Sequence, residues 1–290
     1  MAYRNMDSER IDVKKFLEKN KVKSGWQNLI LRSDNLKQNL EQIIKEIPSA
    51  YSYTPEYGKI LNAFSHAEPG DIKVVIIGTS PAPGKSIANG LAFSSDHYEK
   101  DFCRLAAIPK VHNALREANI LQKDEKNYYC GHQEWAENGV LLLNAALTIT
   151  EEIGNSDDIM NHCNTWREFL QNLLHKWISE TRITHKLFVM RWGYALPYSS
   201  KYGKVNYAEN VWSKAYEHVQ KKSNVRTFEV IHHPTFPRAK EDNNFSSKAP
   251  KDFEEINKHY NDIFNILHGS DRDIEALTSG MSEVAVSKKS

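Results

Sequence analysis

Apolar residues in this chain follow two kinds of pattern, and the two alternate. One is the short run: Val74–Ile77 and the Val-Leu-Leu-Leu within Gly139–Asn144 are unbroken, and Leu187–Trp192 and Thr227–Ile231 are mostly apolar. All four predict strands; the continuous β-branched run Val74–Ile77 predicts one buried on both faces and Gly139–Asn144 a second buried strand, as in a parallel sheet covered by helices. The other is spaced by three and four. It includes Trp26, Leu29, Ile30, Leu36, Leu40, Ile43, Ile44 and Ile47 between Gly25 and Ile47. It recurs as Trp166, Phe169, Leu170, Leu173, Leu174 and Trp177 between Asn164 and Glu180. That period predicts amphipathic helices. Further helices are expected over 110–122 and 250–268, and Tyr51–Gly70 reads as loop with short helix.

Four strands separated by helical pattern predict an α/β fold, a three-layer sandwich with a central four-stranded parallel sheet. Residues 25–268 are expected to form one domain. Residues 1–24 read as a polar lead-in, and 269–290, poor in aromatics, as a disordered tail. Each strand ends in small or polar residues: Gly78-Thr-Ser80, Asn144, Trp192-Gly193 and His233-Pro-Thr235. In a parallel sheet those ends meet along one edge, where a pocket is expected.

Charge narrows the partners. Lys and Arg total 38 against 37 Asp and Glu, a net charge of +1, so any polyanion site is a local patch on a balanced surface. Lys85, Lys240 and Lys248 read as solvated, and Lys221-Lys222 as a small surface patch. Cys103, Cys130 and Cys163 lie far apart with no CxxC spacing, which offers no zinc signature. Reduced thiols point to an intracellular protein of nucleus or cytoplasm. The N-terminal MAYRNMDSERIDVKK has no apolar core of a secretory signal, and no run of about 18 apolar residues predicts a membrane span.

The polar groups at the expected edge are Asn144, His233, Thr79, Ser80 and Thr235, with Phe93 nearby. A side-chain amide reads an N–H beside a carbonyl. A histidine donates to an oxygen that gains charge. A phenylalanine stacks on a flat ring. Together they describe a pocket for a planar amide-like ring such as a pyrimidine. Simpler readings stand beside these: Asn144 as a turn cap, Phe93 as core, His232 in place of His233.

At these residues the chain resembles the family-1 uracil-DNA glycosylases over roughly residues 25 to 265. The family's GQDPYH and GLxFS align without a gap to Gly78-Thr-Ser-Pro-Ala-Pro83 and Gly90-Leu-Ala-Phe-Ser94. Its GVLLLN strand is intact as Gly139–Asn144, preceded by Trp135. Asn155-Ser156, Trp166, Trp192-Gly193 and His233-Pro-Thr-Phe-Pro-Arg238 match further motifs, and the segment Ile108–Arg116 resembles the family's proline loop and helix. The resemblance implies that Asn144 reads uracil N3–H and O4, that Phe93 stacks on the base and that the Thr79 backbone meets its edge. It implies that His233 stabilises charge on O2. It places Ser94, Pro109, Gly193, Thr235, Phe236, Pro237 and Arg238 on the DNA side, with Ser94 and Thr235 on phosphates and Phe236 able to wedge the duplex. No metal or cofactor is implied. The expected partner is uracil-containing DNA, single- or double-stranded, bound by a monomer with a possible replication or repair protein beside it.

The departures concern chemistry. Ser80 stands where the family has its water-activating aspartate, Ala82 where a tyrosine excludes the thymine methyl, and Pro83 where the loop histidine lies. Asp96, His97 and Glu99 follow closely in sequence as candidate replacements. Two functions are therefore expected. One is a glycosylase that excises uracil or a 5-substituted uracil slowly in base-excision repair. The other is an inactive homologue serving as a DNA- or protein-binding accessory subunit.

Overall fold

The computed structural model describes residues 12–47, 53–84, 87–95, 107–121, 132–151, 155–193, 195–199, 203–220, 222–234 and 244–264. All four predicted strands form. They are β2 (Val74–Gly78), β3 (Val140–Asn144), β5 (Leu187–Gly193) and β8 (Val225–His232), with β1 and β4 defined below. They pair in parallel in the order β3-β2-β5-β8. Every residue of β2, β3 and β5 is buried, as unbroken apolar runs require. The register pairs Gly78 with Asn144 and Gly193 with His232, so four chain ends finish along one edge.

Helices cover both faces. Successive residues of β5 show this, because their side chains point oppositely. Arg191 reaches Glu209 and Tyr216 of α7 (Tyr207–Val219), whereas Trp192 packs edge-on against Phe245 and Phe253 of α8 (Phe245–Asn257). The sheet between them completes the expected three layers. Two buried indoles tie the helical layer to the start of β2. Trp26 donates to Ala67 O at 3.0 Å and Trp177 to Pro69 O at 2.9 Å, with their rings 5.2 Å apart.

Several elements differ from expectation for local reasons. The Gly25–Ile47 pattern is two helices, α2 (Ser24–Leu31) and α3 (Asp34–Glu46). Ser33 between them is extended, and its Oγ accepts from Leu36 N at 3.4 Å as an N-cap. The helix at Asn164–Glu180 begins two turns earlier, as α6 (Ser156–Glu180), capped by the Asn155 side chain. Those first turns are polar, so hydrophobic period alone misses them. The helix expected over 110–122 is α4 (Ile108–Glu117), and a short α5 (Gln133–Glu137) precedes β3. The last helix, α8, starts at Phe245 rather than 250, because Asn244 caps it through Ser246 N. The polar lead-in contributes α1 (Val13–Lys19), whose Val13, Phe16 and Leu17 join the common core with Val22. Residues 265–290, which include the expected tail 269–290 and the expected end of the last helix, lie outside the described residues. Helix α7 and two small antiparallel pairs were not anticipated. The pairs are β1 (Tyr53–Thr54) with β4 (Ile149–Thr150), and β6 (Ala195–Ser199) with β7 (Gly203–Asn206).

The Gly90–Ser94 segment is locked at its start. Gly90 has φ +86°, and a Cβ there would lie 1.9 Å from Lys59 O and 2.8 Å from Asn62 Cβ. Gly90→Ala should therefore cost about 3 kcal/mol in urea-denaturation stability, from overpacking and a left-handed backbone combined. Gly70→Ala, with nothing within 4 Å of the added Cβ, should change stability by less than about 0.5 kcal/mol.

Candidate active site

The site is built around Gly78, the last residue of β2. The register sets Asn144 beside it, and Ala145 N and Ala146 N donate to Gly78 O and Thr79 O at 3.0 and 2.8 Å. The two strands thus leave the sheet as a hydrogen-bonded pair. Gly78 has no side chain, and a Cβ there would stand 2.9 Å from Asn144 Oδ1 and 3.0 Å from Phe93 Cε2. The amide of Asn144 and the ring of Phe93 therefore meet over bare backbone.

Phe93 reaches this position with φ +58°, uncommon for a residue with a Cβ. Its loop is pinned by Ala92 N to Leu142 O at 3.1 Å and by Leu91 N to Asn89 Oδ1 at 3.1 Å. Its ring centroid lies 5.3 Å from Trp192 and 5.4 Å from His233, tilted 38° to the latter. All four strand ends so contribute: Gly78, Asn144, Trp192 and His233.

His233 follows β8 directly and is half-buried. Desolvation, and then the charge of Lys110, push its pKa down to about 3. Its imidazole is neutral at pH 7, with one N–H to donate. Lys110 lies in the first turn of α4 beside the half-buried Pro109, so that helix start belongs to the same edge.

The other expected residues divide into three groups. Thr79 is buried, with its carbonyl accepting from Ala146 N and the Cys163 thiol. Ser80 and Ala82 are half-buried beyond it, Pro81 is buried and Pro83 exposed, so this loop presents small side chains to the edge. Ser94 and Gly193 have internal partners. Ser94 is buried, and its Oγ accepts from Asn89 Nδ2 at 2.9 Å and His132 N at 3.0 Å. Gly193 packs against the start of α7, where a Cβ would meet Asn206 Oδ1 at 2.5 Å. Thr235, Phe236, Pro237 and Arg238 lie outside the described residues, as do Lys85, Asp96, His97, Glu99, Lys221 and Lys240. Lys248 pairs with Glu229 at 2.5 Å, and Lys222 donates to Ile178 O at 3.0 Å.

Sequence reading missed two residues at this site, His112 of α4 and His132. His132 is buried, its Nδ1 lies 2.6 Å from Phe93 O, and its Nε2 lies 3.2 Å from Nε2 of the buried His112. Desolvation first, then neighbouring positive charge, lowers His112 to about 3. Desolvation lowers His132 to about 4 against the opposing hydrogen bond to Phe93. The two stand 20 residues apart on different elements, and no periodic pattern links them.

Among the described residues no cluster of three or more His, Cys, Asp or Glu could hold a metal ion. The buried Cys163 thiol is pushed up to about 12, so it is neither ligand nor nucleophile. No described helix is long and apolar enough to cross a membrane. A cavity of about 400 Å³ lies elsewhere, near Gly25, Glu68, Gly70 and Thr181 at the amino ends of β2 and β5.

The edge site and its sheet have counterparts among known proteins, although no family model matches the chain. The uracil-DNA glycosylase of Flavobacterium johnsoniae is 31% identical over 139 residues, covering 47% of this chain and 60% of that one. That of Borreliella burgdorferi (strain ZS7) is 33% identical over 138 residues, covering 45% and 58%. That of Aliarcobacter butzleri is 30% identical over 176 residues, covering 58% of this chain and 74% of that one. The chain thus spans about 60% of the length of the first two relatives. In three dimensions, mimivirus uracil-DNA glycosylase superposes with TM-score 0.58 at 18% identity, covering 87% of each chain. The Nitratifractor salsuginis enzyme gives TM-score 0.54 at 19%, covering 86% and 97%. With one sheet, one set of edge motifs and these relatives, the chain belongs to the uracil-DNA glycosylase family.

The neutral histidines set a pH dependence. A histidine with a lowered folded pKa stabilises the fold fully above pH 6.5, and that contribution is lost as pH falls toward the folded value. Asp252, raised to about 7 by burial and then by Glu255, acts in the opposite sense, so a difference between variants isolates the histidines. Replacing both His112 and His132 with Leu should reduce the protons taken up on unfolding near pH 5 by about two. Urea denaturation across pH 4.5–7 measures this. Parallel stability curves for the two proteins would contradict the assigned burial.

Proposed function

We propose that this chain is a divergent DNA glycosylase that takes a flipped pyrimidine at the Gly78 edge and hydrolyses its N-glycosidic bond. The observation that carries this reading is the convergence of Asn144, Phe93 and neutral His233 over Gly78. Asn144 Oδ1 accepts uracil N3–H and its Nδ2 donates to O4. Phe93 stacks on the base. The C1′–N1 bond breaks with its electron pair passing to the base, and the negative charge on O2 is met by the His233 N–H. A neutral donor stabilises this anion without carrying a buried charge in the empty pocket. Water then adds to the cationic sugar and loses a proton.

Ser80 supplies no base and no negative charge for that sugar. General-base help is typically worth about 10²–10⁴ in rate, so excision is slow rather than abolished. Ala82 leaves the C5 side of the ring open, which favours acceptance of thymine or 5-hydroxymethyluracil beside uracil. The substrate is DNA and the context base-excision repair. Ser80 also favours a second reading, a homologue that holds DNA or a repair protein without cleaving.

An oligonucleotide assay separates the two. Excess protein on a single-stranded oligonucleotide with one uracil, followed by alkali, should give cleavage that the Asn144→Ala, His233→Ala double variant loses by at least about 10²-fold. Parallel thymine and 5-hydroxymethyluracil oligonucleotides should be cut too. Ser80→Asp should raise the uracil rate by about 10²-fold. Wild-type cleavage no greater than the double variant's, with DNA binding retained, would transfer the conclusion to the second reading.

A further inference from the structure

We infer that His132 and His112 form a neutral two-histidine relay that positions Phe93, making both of them positioning residues of the site. The inference rests on the reading of the site as a base pocket.

Hydrogen-bond chemistry fixes the direction of the relay. Phe93 O only accepts, so His132 Nδ1, 2.6 Å away, carries the proton. In a neutral ring His132 Nε2 is then a lone pair. Its partner at 3.2 Å, His112 Nε2, must be the donor. A second proton on His132 would reverse that bond, and the burial of the ring disfavours the added charge. The chain therefore runs His112 Nε2–H to His132 Nε2, then His132 Nδ1–H to Phe93 O, and each bond polarises the next.

Residue 132 holds the loop twice. Its backbone N–H donates to Ser94 Oγ at 3.0 Å while its ring holds Phe93 O. The ring is itself fixed, stacked on Trp135 at 4.1 Å and 22°, and Trp135 donates to Phe264 O at 3.1 Å. This restraint falls where the backbone most needs one. Phe93 sits at φ +58°, a conformation that costs about 1 kcal/mol and persists only when its surroundings enforce it. If the Phe93 carbonyl turned away, its ring would leave its place over Gly78. On the other side, His112 lies two residues after Lys110, whose charge bears on His233. The relay thus joins the stacking surface to the helix start that faces the reacting end of the pocket.

The test uses the full chain and three variants. His132→Asn keeps an N–H near the Nδ1 position. His132→Leu removes it. The His112→Leu, His132→Leu pair removes the donor that the single change strands at His112. Three quantities are measured: histidine ¹⁵N chemical shifts, melting temperature, and affinity for a single-stranded oligonucleotide carrying 2′-fluoro-2′-deoxyuridine against one carrying cytosine there. The wild type should show protonated Nδ1 on His132 and protonated Nε2 on His112, and should prefer the uracil analogue. His132→Leu should lose about tenfold of that preference, the scale of one hydrogen bond, and His132→Asn should recover most of it. The double variant should regain melting temperature without regaining the preference. Opposite tautomers, an unchanged preference in His132→Leu, no recovery in His132→Asn, or a preference that returns with melting temperature in the double variant would each overturn the relay alone. A wild type with no preference for the uracil analogue would overturn the base-pocket reading and the relay together.

Discussion

A Cβ at Gly78 would stand 2.9 Å from Asn144 Oδ1, closer than real Cβ contacts come, and 3.0 Å from Phe93 Cε2, tighter than most. The floor of the site is therefore a bare stretch of strand backbone, and every other feature of the edge follows from it. Asn144 can sit directly beside Gly78 in the parallel register. Phe93 can lay its ring against the strand, at the cost of a left-handed backbone. Trp192 and His233 then close around that ring at 5.3 and 5.4 Å. A methyl group at this one position would crowd both the Asn144 amide and the Phe93 ring.

Around that floor the protein places histidines and removes their water. His112, His132 and His233 all have pKa values lowered chiefly by desolvation, to between about 3 and 4. The edge is thereby furnished with neutral, oriented donors. Positive charge stays outside, on the exposed Lys110 at the start of α4. For a reaction that leaves negative charge on a departing base, fixed neutral dipoles and a nearby helix start serve where no carboxylate is supplied by the loop at Ser80. The balance of the proposed chemistry thus shifts from activating water to stabilising the leaving group.

Much of the frame was legible in the order of residues. Strands β2 and β3 could be read because two-sided burial demands an unbroken apolar run, a signal held within five consecutive residues. Strand β5 breaks its run only at Arg191, and β8, with Arg226 and Glu229 exposed, was legible from Phe228, Val230 and Ile231. Asn144, Phe93 and His233 were legible as a group because each stands at or near a strand end or inside a motif of known order. Helix α7 was not anticipated, although Tyr207, Ala208, Val211, Trp212, Ala215 and Val219 repeat at helical spacing and are all buried. Ser33, Asn155 and Asn244 carried the cap signals that set the true helix starts. The lead-in could be read as frayed or helical, but its polar composition concealed that Val13, Phe16 and Leu17, few among charged neighbours, all reach the core.

The sequence by itself determined the layers, the parallel sheet and the edge where its polar strand ends meet, because periodicity and strand-end residues are local properties of the chain. Only the tertiary structure decided how close the edge residues come and what state they hold. The approach of Phe93 to Gly78 depends on a loop pinned to β3 and on His132 arriving from another segment. The neutrality of the histidines depends on water excluded by residues far away in sequence. Proton direction along His112, His132 and Phe93 follows from two distances between three separate elements. Distance and dielectric are properties of the packed molecule, and no spacing along a chain encodes them.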